Sequence, residues 1–382
     1  MRRQLIVKAG DPREIAVVEN GRLAEFISDT SQEDGADAIW LGKVVRMAPG
    51  MGAAFVDIGQ QRNGFLPIAE RSESFFGGEM QPGSRVLVQV RREAHGEKGA
   101  FLTRDLTLPG EYALLMPCNR YIGVSARVTG GAEKARLRRM GERIADGRFG
   151  LVMRAACLTA GEKAVEEEIE ALWETARQLQ ADAATAHCPS LVHAPRSAMR
   201  QLLDDYLPRG LDEILTDDQS LAGMDLPCPV RCVDAALPDW PRWLHERDQA
   251  LKRRVWLKSG GNLCVDICEA LTVIDVNTAK LSTGRDAERN LLKTNLEACS
   301  EIALQLRLRA LSGIILIDMI DMQTEKEREQ VLSELTRACA ADRVKTVVHG
   351  FTSLGLIEMT RKRSGRSLQE RYGKAPADAE NG

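Results

Sequence analysis

At 382 residues, with 44% apolar and 28% charged side chains and a net charge of −3, the chain is sized for more than one core. That balance fits a globular protein and excludes a disordered or uniformly basic one. No apolar run approaches the roughly 18 residues of a membrane span, and the start "MRRQLIVKAGDPRE" lacks the apolar stretch of about 7–15 residues that marks a secretory signal, so no membrane span and a cytoplasmic location are expected.

Residues 1–37 read as short strands, with "QLIVKAG" followed by "EIAVVENGRLAEFIS", whose Asn-Gly pair signals a hairpin. Residues 38–103 change character. The runs "IWLGKVVRMAPGMGAAFVDIGQQRNGFLPIAE" and "SRVLVQVRREAHGEKGAFLT" are short β-rich segments punctuated by glycine, the rhythm of a small closed barrel. Phe55 and Phe65 lie near glycines that let a ligand approach, and Lys98 sits in the Gly-flanked "HGEKGAF" loop, where it can meet a phosphate. Taken alone, each phenylalanine also reads as barrel core.

Residues 104–195 mix strand-like "YIGVSARV" and "FGLVMRAAC" with "AGEKAVEEEIEALWETARQLQADAA", in which Val165, Ile169, Leu172 and Trp173 recur at helical spacing. The basic stretch "KARLRRMGER" reads as a solvated helix face or a local nucleic-acid patch. After the break "HCPSLVHAPRS", residues 196–254 are mixed α/β. From Val255 the pattern runs strand, strand, helix, strand, helix, strand. The basic segment Arg361–Lys374 reads as a local nucleic-acid patch or as a solvated helix face or tail, and residues 369–382 are expected to be disordered. The nine cysteines follow no tight spacing. Cys228/Cys232 and Cys264/Cys268 lack a Cys or His cluster to complete a site, so reduced core thiols and no structural zinc are expected.

The 255–368 region carries the chemistry. "ALTVID" and "GIILID" are near-continuous apolar or β-branched runs, the signature of strands covered on both faces, and a helical segment of about 20 residues (286–309) joins them. Such a βαβ unit has parallel strands, so Asp275 and Asp318 arrive together at the carboxyl edge of a sheet. Two carboxylates converging there repel unless a cation lies between them, and an all-oxygen donor set favours Mg²⁺, with Mn²⁺ as the alternative. Asn277, two residues beyond Asp275, points to the same side and orients Asp275 or a metal-bound water. Asp321, three residues after Asp318, leaves that face and reads as a cap or a supporting group. Taken singly, each aspartate also reads as a loop cap. The pairing is what points to a metal site.

The block "EALTVIDVNTAKLSTGRDAERNLLKTNLEACSEIALQLRLRALSGIILIDMIDM", with "GAAFVDIGQQRNGFLP" and "LLMP", resembles the ribonuclease E/G family, in the family's order over about residues 1–368. The resemblance implies an α/β multi-domain fold. An RNase H-like subdomain (1–37 and 196–254) is split by an OB-fold of the ribosomal S1 type (38–103) and a 5′-sensor region (104–195), and a DNase I-like domain (255–368) follows. It also implies a metal-dependent endoribonuclease that cuts single-stranded A/U-rich RNA, leaving 5′-phosphate and 3′-hydroxyl ends. The substrates implied are messenger or ribosomal RNA precursors. The alternative is a catalytically weak RNA-binding protein acting in ribosomal RNA maturation.

By the same resemblance Asp275 and Asp318 match the family's magnesium-binding aspartates and Asn277 its positioning asparagine, while Phe55, Phe65 and Lys98 match the residues that grip RNA. Gly110, Arg154 and Lys345 match the 5′-phosphate sensor. The sensor departs from the family pattern in two places: Ala155 replaces a threonine, and Lys345 replaces an arginine, losing its bidentate fork. No cysteine follows Cys339, so the family's CPxC zinc-link is missing from the sequence and any oligomer is expected not to be zinc-linked.

Overall fold

The computed structural model of the chain describes residues 2–29, 35–68, 75–76, 80–94, 98–223, 226, 228–233, 237–278 and 285–373. These fall into two compact units, one made of residues 1–30 with 197–382 and the other of residues 31–196. Among the described residues, no helix is long and apolar enough to cross a membrane.

The 31–196 unit contains the closed barrel read from the glycine rhythm. Strands Ile39–Ala48, Ala53–Asp57, Gly64–Pro67, Phe101–Thr103 and Arg85–Arg92 pair in that order, and Ile39–Ala48 also pairs with Arg85–Arg92 to close the ring. Trp40, Val44, Val56, Leu66, Val88 and Leu102 fill its interior. A strand at Ser190–His193, inside the segment read as a break, adds to the outside of Ile39–Ala48. The rest of the unit is a four-stranded sheet (Leu108–Pro109, Ala113–Met116, Ile122–Val124, Gly150–Met153) under helices Gly131–Ala145 and Glu162–Thr185. The basic stretch is the exposed side of the first helix, whose Leu137, Met140 and Ile144 are buried.

In the other unit Arg3–Lys8, Arg13–Glu19 and Arg22–Asp29 form an antiparallel meander. Asn20 and Gly21 take positive φ of 49° and 74° at the two-residue turn between its second and third strands, as the Asn-Gly hairpin signal requires. Glu213–Thr216 joins Arg3–Lys8 in parallel, and Val230–Cys232 joins Glu213–Thr216 in parallel. Alternation then sorts this sheet's side chains. Leu5, Val7, Ile15 and Val17 meet the helix Ala198–Tyr206, while Ile6, Ala16, Val18 and Phe26 meet Trp240 and Trp243 on the opposite side.

The same unit holds a six-stranded sheet in the order Arg254–Trp256, Asn262–Ile267, Leu271–Asn277, Gly313–Asp318, Ile357–Arg361, Thr346–Phe351. Leu271–Asn277 and Gly313–Asp318 are its parallel pair, joined through the helix Arg285–Leu308, and the other neighbours are antiparallel. Helices Arg285–Leu308 and Glu325–Cys339 cover one face, where Ile274, Val276, Ile315, Ile317 and Met359 pack on Ile302, Leu306, Val331 and Leu335. The expectation of cover on both faces is corrected here. Leu271, Val273 and Leu316 on the opposite face are half-buried, and Ile314 is 52% exposed. Apolar residues on both faces hide the alternation from a reading of composition.

The basic tail is corrected as well. Arg361 is buried in the last strand, donating to Asp342 at 2.7 Å, and Leu368–Tyr372 is a helix opened by a capping box of Ser367 and Glu370. Leu368 is buried and the Tyr372 ring meets Phe26 edge-on at 5.7 Å. Residues 374–382 lie outside the described residues. Eight of the nine cysteines are buried or half-buried, and burial pushes the Cys299 and Cys339 thiols up to about 12, as reduced core residues require.

A buried ion network ties the meander to the helix of the six-stranded sheet. Glu19 accepts from Arg3 Nε and Arg307 Nη1, both at 2.7 Å. Glu25 accepts from the Tyr206 hydroxyl and from Arg343 Nε at 2.9 Å, and Arg343 Nη1 also donates to Asp205 at 3.1 Å. Burial alone would raise the Glu19 carboxyl, but the hydrogen bonds and charges of Arg307 and Arg3 outweigh it and hold it below its usual value of about 4.3. A lowered carboxyl contributes stability that is complete above the unfolded value and is lost as the pH falls through the folded one. Removing one partner strands a buried charge. Arg307→Met should therefore destabilise the protein by about 3–5 kcal/mol, and Tyr206→Phe by about 1–3 kcal/mol. Urea unfolding midpoints of the two variants check this, and a wild-type midpoint for Arg307→Met contradicts it.

Candidate active site and nucleic-acid interface

The parallel ladder runs Leu271 opposite Ile314, Val273 opposite Leu316 and Asp275 opposite Asp318. Neighbouring strands stand about 4.8 Å apart and side chains alternate, so the two aspartates lie side by side at the strand ends, on the face without helices. Asn277 Nδ2 donates to Asp275 Oδ2 at 2.7 Å, which fixes one carboxylate oxygen and leaves the other directed by the strand. Across the sheet, Cys264 stands opposite Asp275 and Asn262 opposite Asn277. The Asp318 carboxyl is pushed up from its ordinary value, first by burial, then by the Asp275 charge and then by Asp321. Asp321 is exposed; it acts on the site through its charge.

That repulsion is what a bound cation relieves, and it supplies the test of fit. Among the described residues no three His, Cys, Asp or Glu side chains converge as a cage. Two carboxylates with open oxygen positions suit a cation that keeps waters and takes up a phosphate, the habit of Mg²⁺. Asp275 and Asp318 are the residues that could hold such a cation.

Two supporting residues escaped the sequence reading. Asn295, fully buried on the helix, donates through Nδ2 to Ile320 O at 2.8 Å and accepts from Ile320 N at 3.1 Å, clamping the turn after Asp318. Glu297 accepts from Lys258 N at 2.6 Å and Ser259 N at 3.0 Å, fixing the turn that leads to Gly261. A Cβ on Gly261 would come within 2.6 Å of Asn277 O, so only glycine lets that turn reach the end of the aspartate strand. The available signal for Asn295 was an amide among apolar helix positions, between Leu292 and Cys299.

On the barrel the two phenylalanines belong to a longer row. Arg46 stands opposite Phe55, Phe55 opposite Phe65, Phe65 opposite Phe101, and Phe101 opposite Arg92. The Phe55 and Phe65 centroids lie 6.0 Å apart edge to face, and Phe65 stacks on Phe101 at 5.7 Å. The guanidinium groups close both ends, Arg46 at 4.8 Å from the Phe55 centroid and Arg92 at 4.4 Å from that of Phe101. All three rings are half-buried, neither lost in the barrel core nor fully open. Lys98 is exposed three residues before Phe101, while residues 95–97 of its loop lie outside the described residues.

In the remaining part of the 31–196 unit, Arg154 and Gly110 lie at one end of the small sheet. Ala113 stands opposite Met153, and Arg154 N donates to Tyr112 O at 2.7 Å. The N–H groups that follow Gly110 are already taken: the Glu168 carboxylate accepts from Glu111 N, from Tyr112 N at 2.8 Å and from Ala113 N at 3.3 Å. A Cβ at Gly110 would meet Glu168 Oε2 at 2.5 Å, so this glycine admits that carboxylate. Lys345, in the other unit, is exposed just before the strand Thr346–Phe351.

The profile of the ribonuclease E/G family matches residues 107–225 and 233–364. Ribonuclease G of Haemophilus influenzae is 35% identical over 383 residues, covering 93% of this chain and 78% of the relative. Ribonuclease G of Escherichia coli K12 is 33% identical over 390 residues, with the same shares covered. Ribonuclease E of Nostoc sp. is 34% identical over 404 residues, covering 98% of this chain, and the chain spans only 57% of that relative's length. With matches of this breadth to both kinds of relative, the chain belongs to the ribonuclease E/G family.

Proposed function

We propose that the chain is a metal-dependent endoribonuclease that hydrolyses single-stranded, A/U-rich RNA to 5′-phosphate and 3′-hydroxyl ends, in RNA processing or decay. The observation that carries this reading is the in-register pair Asp275 and Asp318, with Asn277 bonded to the first. A Mg²⁺ ion held by the two carboxylates would supply Lewis-acid activation of water and offset charge growing on the phosphate oxygens. The protein's own part is orientation. Asn277 sets the Asp275 oxygens, and Asn295 holds the turn that carries Asp318. Water adds to phosphorus, the bond to the 3′ oxygen breaks, and that oxygen leaves with a proton. No side chain need form a covalent intermediate.

On this reading the Arg46–Phe55–Phe65–Phe101–Arg92 row is the single-strand platform of an S1-type OB-fold, with rings for bases and cations for the backbone. Phe55, Phe65 and Lys98 take the RNA-gripping roles. The five-stranded sheet, with a meander on one side of Arg3–Lys8 and two parallel strands on the other, supports an RNase H-like assignment, and the six-stranded sheet takes the DNase I-like role. Arg154 and Gly110 would give a weakened 5′-phosphate sensor, because Ala155 offers no hydroxyl and Glu168 already uses the neighbouring amides. A cytoplasmic site of action agrees with nine unpaired thiols.

Asp275→Asn and Asp318→Asn should each abolish most Mg²⁺-dependent cleavage of a labelled A/U-rich oligonucleotide while RNA binding persists. Cleavage at the wild-type rate by either purified variant rejects the assignment, and binding without cleavage by the wild-type protein supports a purely RNA-binding role. Phe65→Ala should weaken single-stranded RNA binding by about 5- to 150-fold, the equivalent of the roughly 1–3 kcal/mol that one stacked base contributes. Fluorescence anisotropy measures it, and an unchanged affinity places Phe65 in the barrel's packing alone.

A further inference from the structure

The helix-free face of the six-stranded sheet carries two more side chains that the proposed chemistry does not use. Arg254 stands opposite Cys264, which stands opposite Asp275, which stands opposite Asp318; one row along, Trp256 stands opposite Asn262, which stands opposite Asn277. Residues directly opposite share a face, so arginine, tryptophan, asparagine and both aspartates all project from the same side. At about 4.8 Å per strand, Arg254 and Trp256 lie about 10 Å from the Asp275–Asn277 strand.

Trp256 is 66% exposed, whereas Trp40, Trp240 and Trp243 are buried and Trp173 is half-buried. The Arg254 guanidinium is exposed and lies 5.8 Å from the Trp256 ring centroid. Neighbouring Arg253 is engaged by Asp266, at 2.8 Å through Nη2. A single exposed apolar side chain is unremarkable by itself. Here the indole stands on an edge strand, in line with Asn277 and beside a cation whose own row leads to a carboxylate pair suited to phosphate chemistry.

We infer that Trp256 and Arg254 form a nucleotide subsite on the catalytic sheet, in which the indole stacks a base flanking the cleaved bond of single-stranded RNA and the guanidinium holds its phosphate. The inference rests on the endoribonuclease reading and extends it to substrate positioning. RNA is the occupant the face favours. Although Ile314 is exposed farther down the same face, the part around Trp256 carries Asp266, Asp275, Asp318 and Arg254 and is too charged for the core of an interface between two copies of the chain, from which charged residues are depleted. An indole with an adjacent guanidinium is the pairing that single-strand binders use.

Because Trp256 is the one exposed tryptophan, its fluorescence reports on the subsite directly. The non-cleaving Asp275→Asn protein, titrated with a short A/U-rich RNA, should show quenching that disappears when Trp256→Phe is added. In the otherwise unaltered protein Trp256→Ala should lower kcat/KM by about 5- to 150-fold, with Trp256→Phe restoring most of it and thermal midpoints unchanged. Arg254→Ala should also weaken binding and flatten its salt dependence. If Asp275→Asn and Phe65→Ala behave as an RNA enzyme requires but RNA leaves the fluorescence unchanged and Trp256→Ala cleaves normally, the subsite is refuted and the enzyme reading stands. RNA-dependent quenching without any cleavage by the unaltered protein supports the subsite and refutes the enzyme reading. Quenching that follows protein concentration instead of RNA assigns the face to a second copy and overturns the inference.

Discussion

The structure turns on the parallel register that sets Asp275 against Asp318. Two like charges on neighbouring strands oppose their own assembly, and the Asp318 carboxyl is raised first by burial and then by the Asp275 charge. The pairing persists because it is fixed on the other face, where Ile274 and Val276 from one strand and Ile315 and Ile317 from the other are buried under the same two helices. A slip of either strand by one residue would turn its two buried side chains outward, at a cost of about 3–6 kcal/mol. The hydrophobic face therefore sets the geometry of the charged one.

The elements around this register divide into those that hold the strand ends and those that hold the sheet. Asn277, Asn295 and Glu297 act on the ends through bonds of 2.6–3.1 Å, and Gly261 keeps the neighbouring turn close. The Arg3, Glu19, Arg307, Glu25 and Arg343 network acts farther away and joins two sheets through buried charges. Such pairs add little net stability compared with apolar packing, but they accept few alternative arrangements. On the barrel, a row of three rings between two guanidiniums is built by cross-strand register alone, the same device used for a different chemistry.

How much of this could be read in the sequence depended on the range of the interaction. The βαβ unit, the Asn-Gly hairpin and the closed barrel follow from local patterns, and the two aspartates were legible because each ends an apolar run of its own. Asn277 was legible because strand periodicity placed it beside Asp275. Phe101, Arg46 and Arg92 were not, since their partners lie on strands far along the chain and only register brings them together. Arg361 illustrates the converse: a run of basic residues read as a solvated tail, yet Asp342, nineteen residues earlier, draws its first member into the core. The uncovered face of the six-stranded sheet was misread for a similar reason, because Ile314 and Leu316 look like core residues until their neighbours are known.

The helix Arg285–Leu308 spans 24 residues, about 36 Å at 1.5 Å per residue. Asn295 grips the turn after Asp318, and about 18 Å further along Arg307 is anchored in the buried ion network. A helix held at both points behaves as a stiff beam. Its far anchorage sets the angle at which Asn295 meets the aspartate turn, so the alignment of the two carboxylates is partly decided in the meander at the start of the chain. The meander of Arg3–Asp29 thus acts as the abutment against which the six-stranded sheet is squared.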